Sequence, residues 1–155
     1  MPIKGTIIAN TEARMRITSR ELKSIFRETW PKLGHYQIML DPFFELPTFD
    51  EIKRYFDESK VHELEFIDYF FDCDDFAFAF IHEVKMKRYE TRESLPKPLL
   101  RLALGAAFTP GDNLVVPDHM LNLCRTADRG SYMIDLTDRT MRPAERSDDV
   151  RLTIF

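Results

Sequence analysis

A cysteine set among acids is the feature of this chain most suggestive of chemistry: Asp72-Cys73-Asp74-Asp75 runs directly into Phe76-Ala77-Phe78-Ala79-Phe80. Asp72 is a helix N-cap residue by type, since its carboxylate can accept an orphan backbone N–H of the first turn. Cys73 then takes the first helical position, where unpaired N–H groups and the macrodipole stabilise negative charge. A thiol there ionises more readily, and the thiolate is the nucleophile. Asp74 and Asp75 oppose that ionisation, so a reactive Cys73 requires a nearby cation, most simply an imidazolium. A second reading stands beside this one. Phe76, Ala77, Phe80, Ile81 and Val84 follow Cys73 at helical spacing, which makes it the first residue of an amphipathic helix's buried stripe. Free cysteines commonly serve there as small apolar fillers.

A nucleophilic cysteine needs a base, and the base needs an orienting group. His82 lies on the same helix about two and a half turns away and is out of reach, and His35 and His62 have no polar setting that marks them. His119 differs. It follows Pro117-Asp118 at the mouth of a hairpin whose return strand carries Asp135 and Asp138. A turn centred near Ala127 sets His119 opposite Asp135, and one centred near Asp128-Arg129 sets it opposite Asp138. Either carboxylate can orient the ring.

Helix-borne Cys, strand-borne His and an acid on the next strand follow the papain-like order, and the wording around them is sharper than the order. Asp41 with Phe43-Phe44, a helix from Thr48, the hexapeptide Asp72 to Ala77, His119 with Asn122, and Met133-Ile134-Asp135 together resemble a known domain. It is the papain-like C-terminal domain of mushroom agglutinins of the Marasmius agglutinin type, with its bacterial and phage relatives, and the resemblance covers about residues 36–140. It implies Cys73 as nucleophile, His119 as general base and Asp135 as orienting acid, acting on a protein or peptide substrate through an acyl-enzyme. It also implies Ca²⁺, for which Asp72, Asp74 and Asp75 supply hard oxygen donors. Three departures accompany it. The chain is too short to hold a sugar-binding trefoil as well, and Asp135 stands where the agglutinins tend to carry Glu. Position 67 is Ile, where papain has a Gln six residues before its cysteine. Gln37, the only glutamine, is then the candidate for the oxyanion site.

Two functions compete on this reading. One is a thiol hydrolase that cuts an amide on Cys73, with a transferase using the same dyad as its variant. The other is a catalytically silent papain-like scaffold that binds a protein, for example as a phage–host interaction module.

The elements that must position these residues are legible from caps and breakers. Thr18-Ser19-Arg20-Glu21 and Thr48-Phe49-Asp50-Glu51 open helices. The first buries Leu22, Ile25, Phe26 and Trp30 before Pro31, and the second buries Ile52, Tyr55 and Phe56 and ends near Ser59. Tyr36 to Leu40 is an extended apolar run, and Val61 to Phe70 mixes acids with aromatics and reads as helical or extended. The Cys73 helix is expected to stop near Lys87 or Arg88. Strand signals take over after Pro96 and Pro98: Leu99–Phe108, then a turn at Thr109–Asn113, Leu114-Val115-Val116, Met120–Cys124, a hairpin turn at Thr126–Gly130, Tyr132–Leu136 and a last strand at Val150–Phe155. Helices first and strands second predict an α+β fold, with a central Cys-bearing helix packed on a C-terminal antiparallel sheet. Residues 1–17 read as an N-terminal arm or short edge strand of a single domain spanning 1–155.

At 155 residues and 44% hydrophobic content, the chain can build a real core. Its net charge of −4 argues against general nucleic-acid binding. No run reaches the roughly 18 apolar residues of a membrane span, and Ile7-Ile8-Ala9 is too short for a signal core. Two cysteines without a Cys-x-x-Cys pair exclude both a disulfide-rich scaffold and the usual zinc sites. A soluble protein, cytoplasmic or virion-associated, is the expectation.

Overall fold

A computed structural model describes residues 15–110 and 119–155. Most of the expected arm, the greater part of the turn at 109–113, the apolar run 114–116 and Pro117-Asp118 lie outside the described residues. Strand β1 (Arg16–Thr18) leads into helix α1 (Ser19–Thr29). Thr18 Oγ1 accepts the Glu21 N–H at 3.2 Å, and the Glu21 carboxylate accepts the Thr18 N–H at 2.8 Å. This is the reciprocal capping box that the sequence pattern predicts. Leu22 and Phe26 are buried, and Pro31 follows the closing Trp30. Strands β2 (Gln37–Ile38) and β3 (Phe43–Glu45) precede helix α2 (Phe49–Glu58). Thr48 Oγ1 caps α2 through the Glu51 N–H at 3.1 Å, and Ile52, Tyr55 and Phe56 are its buried residues.

Helix α3 (Cys73–Glu90) runs a little further than expected. Its stripe of Phe76, Ala77, Phe80 and Val84 continues one turn on into Arg88, which is only 7% exposed. That guanidinium is buried with partners: Nη2 donates to Glu45 Oε1 at 3.2 Å and to Leu100 O at 3.3 Å, and Nη1 lies 3.5 Å from Glu51 Oε1.

Beyond α3 come β4 (Leu104–Thr109), β5 (His119–Thr126), β6 (Gly130–Asp135), β7 (Thr140–Pro143) and β8 (Leu152–Ile154). They form a six-stranded sheet in the order β2-β8-β4-β5-β6-β7, beside a two-stranded β1-β3 pair. The fold is α+β. The expected antiparallel sheet is corrected in one respect: β2, from the N-terminal half, pairs in parallel with β8, so the sheet is mixed. β8 itself lies between β2 and β4, so close to β4 that a Cβ on Gly105 would meet Ile154 O at 2.3 Å.

The sheet has a core on each face. Leu22, Phe26 and Trp30 of the α1 region pack with Ala107, Leu121, Leu123, Met133 and Phe155 on one side. Ile52, Phe56, Phe76, Phe80 and Val84 of α2 and α3 pack with Leu104, Cys124, Ile134 and Leu136 on the other. Successive strand residues face opposite ways, so this partition fixes which face each strand residue addresses. Among the described residues, no helix is long and apolar enough to cross a membrane.

Candidate functional site

Cys73 opens α3 and is partly exposed. The Asp75 carboxylate turns back to accept the Asp72 N–H at 3.1 Å. A carboxylate oxygen from each of Asp72 and Asp74 and the Cys73 sulfur lie within 4.8 Å of one another. The hydrogen bond Asp74 shares with Asp72, helped by burial and by the Asp72 charge, holds the Asp74 carboxyl above the usual carboxylate range. Ca²⁺ takes six to eight oxygen ligands. Asp72 and Asp74 are the carboxylates placed together here, while Asp75 is committed to the Asp72 backbone N–H.

The second half of the expected constellation is on the sheet. His119 Nε2 and Asp135 Oδ2 are 2.6 Å apart. Their strands pair Asn122 with Ile134, a register that sets His119 level with Thr137, so Asp135 reaches the ring along a diagonal. The Thr137 and Asp138 N–H groups donate to Asp135 Oδ1 at 2.8 and 3.2 Å. Asp138 thus supports Asp135 through its backbone. The hydrogen bond to Asp135 raises the His119 pKa; burial opposes it, and the charges of Asp135 and Asp138 add to it. For Asp135, burial pushes upward, but the His119 bond and charge with the two backbone donors outweigh it and the net shift is downward.

No hydrogen bond links Cys73 to His119 among the described residues. Asn122 and Cys124 address α3, whereas Leu121 and Leu123 address α1, and by alternation His119 falls with the second set. Met133 assigns Asp135 to that same face. Buried Asn122 supplies the actual tie between α3 and β5, its Nδ2 donating to Ala77 O at 2.9 Å and Gly105 O at 3.2 Å. Gln37 lies on β2. Its strand is three places from β5, about 14 Å across the sheet, and its Nε2 donates to Lys23 O at 3.2 Å.

A feature that motif reasoning passed over precedes Cys73. The stretch left open between helix and strand forms a tight turn, in which the Phe70 and Phe71 N–H groups donate to Ile67 O and the Ile67 N–H donates to Phe71 O. Leu64, Phe66, Ile67, Tyr69 and Phe70 all stand exposed around it, Tyr69 at 100% and Phe70 at 77%. Tyr69 has φ 60°, a left-handed conformation that suits glycine and costs other residues energy. Six acids, Glu63, Glu65, Asp68, Asp72, Asp74 and Asp75, accompany these rings, and no Lys or Arg occurs between Lys60 and Lys85. That charge asymmetry was visible in the sequence.

No protein-family model matches the chain, and no curated protein matches its sequence. Solved structures do. A PSL1a–E64 complex matches with a TM-score of 0.69 at 18% identity, covering 90% of this chain and 51% of that one. The Polyporus squamosus lectin bound to the human-type influenza-binding epitope Neu5Aca2-6Galb1-4GlcNAc matches with a TM-score of 0.70 at 18% identity, covering 90% and 49%. The fold is therefore shared with part of these lectin chains, and this chain spans about half the length of the lectin chains it matches. The likeness corrects the leading functional expectation: the matching structures are those of lectins, and a thiol hydrolase with cysteine-protease chemistry is not supported.

Proposed function

We propose that this chain is a binding module on a papain-like scaffold, and that it holds a protein partner with a basic surface through the segment 64–70 and the acids beside it. The observation that carries this is Tyr69. Its ring is wholly in solvent while its backbone sits in a conformation that disfavours any side chain. Strain of this kind is kept where it serves a site, and no packing of the Tyr69 ring repays it. Exposed apolar residues rimmed by polar ones are the usual mark of an interaction surface. A partner carrying Lys or Arg beside an apolar pocket would meet both the rings and the acids.

The test is selection of random peptides on the immobilised full chain. Expected is enrichment of peptides with Lys or Arg beside apolar residues, lost in Tyr69→Ser/Phe70→Ser and retained in Cys73→Ala. Peptides that bind both variants alike would remove this surface from the reading. Cleavage of selected peptides, abolished by Cys73→Ala, would sink the binding module altogether. Binding of Neu5Aca2-6Galb1-4GlcNAc that ignores the aromatic changes would favour a glycan as ligand.

A further inference from the structure

We infer a second, separate binding site, for an amphipathic carboxylate with an apolar tail and one anionic head, between the C-terminal half of α3 and residues 95–104. A cavity of about 390 Å³ lies there, within the range of about 300–1,000 Å³ typical of small-molecule sites. Phe43, Ile81, Val84, Leu95, Leu99 and Leu102 form its walls. Apolar walls with a few convergent polar groups are what such sites use, and here those groups have a sign. Lys85, Arg88 and Arg101 line the cavity against one acid, Asp41. Asp41 is spent on Arg101, Oδ2 to Nε 3.0 Å. Glu45 and Glu51, which balance Arg88, are not among the lining residues.

Lys85 is left for a head group, with unfilled donor capacity on Arg88 beside it. Arg88 Nη1 is buried, lies 3.5 Å from Glu51 Oε1 and makes no hydrogen bond, so it is ion-paired with donor capacity unfilled. Lys85 sits one turn earlier on the same helix face and forms no ion pair among the described residues. A carboxylate between them accepts from both, and its tail lies along the apolar walls. Lys85 is about 18 Å along α3 from Cys73, so this site is independent of the aromatic segment.

The experiment is isothermal titration of the full chain with octanoate, decanoate and 1-decanol, each below its micelle or solubility limit. Expected is saturable one-to-one binding of decanoate, with each added methylene tightening binding by up to about fourfold. Decanol is expected to bind at least tenfold more weakly, and Lys85→Glu to cost decanoate a similar factor. Ile81→Trp, which fills the cavity, should abolish binding; should it not fold, Leu99→Glu at the exposed mouth takes its place. Absence of saturable decanoate binding, equal affinity for decanol, or binding unchanged by Lys85→Glu and the cavity variant would each overturn the inference.

Discussion

Replacing Tyr69 with glycine should make this protein more stable while removing its proposed grip on a partner. A left-handed φ of 60° costs a residue with a Cβ roughly 1–2 kcal/mol. Glycine escapes that cost but adds about 0.4–1 kcal/mol of freedom to the unfolded chain. The Tyr69 ring is fully exposed, so no packing is lost with it. The balance is a gain of about 0.5–1 kcal/mol, or about 1–4 °C in melting temperature at this size. Urea unfolding followed by fluorescence of the single, buried Trp30 should show a higher midpoint with an unchanged slope. Binding of the basic peptides should fall in the same variant. A midpoint lowered by an equivalent of about 1 kcal/mol or more would show that the ring supports the fold, and the argument from unrepaid strain would collapse.

Three further outcomes follow from the packing. Arg88→Met leaves Glu45 and Glu51 without their buried cation and should cost about 3–5 kcal/mol in denaturant unfolding; a loss below about 1 kcal/mol would mean that the carboxylates rehydrate. Gly105→Ala forces β8 away from β4 and should cost about 1–3 kcal/mol, with hydrogen exchange at residues 152–155 rising first; unchanged protection there would refute the close approach. The His119–Asp135 pair makes stability depend on pH. The raised His119 pKa contributes stability fully below about 6.5, lost as pH climbs through its folded value. The lowered Asp135 pKa contributes above about 3.8, lost as pH falls through its folded value. The advantage of wild type over His119→Gln should therefore peak between about pH 4 and 6.5 and shrink on both sides, and a pH-independent difference would contradict the pair.

Local structure was legible because its causes are local. Both Thr caps, the buried faces of α1 and α2 and the hairpin turn at Thr126–Gly130 follow from residues within one or two turns of each other. The misreadings are non-local. β2 is two residues long, and nothing in Gln37-Ile38 announces a parallel partner at Thr153-Ile154. β7 is a polar, exposed edge ending in Pro143, without the alternation that marks a strand. For the site, chemistry was readable and phase was not. The pairing of His119 with Asp135 needed only the hairpin. Which face of the sheet the ring addresses depends on the pleat, which long-range pairing sets. Val61–Phe70 went unassigned because its exposed aromatics obey neither helical nor strand periodicity.

The placement of β8 between β2 and β4 has a consequence for the order in which the molecule is made. Leu40 donates its N–H to Phe155 O, the Phe155 N–H donates to Ile38 O, and the Thr153 N–H donates to Tyr36 O. Residues 36–40 are thus zipped to residues 153–155, across a separation of more than a hundred positions. A nascent chain can wind α1, α2 and α3 as they emerge, but β2 has no neighbour until residues 152–155 arrive. Contacts of such long range are slow to form. Until then Phe26 and Phe44 lack the Phe155 ring that packs against both in the folded chain.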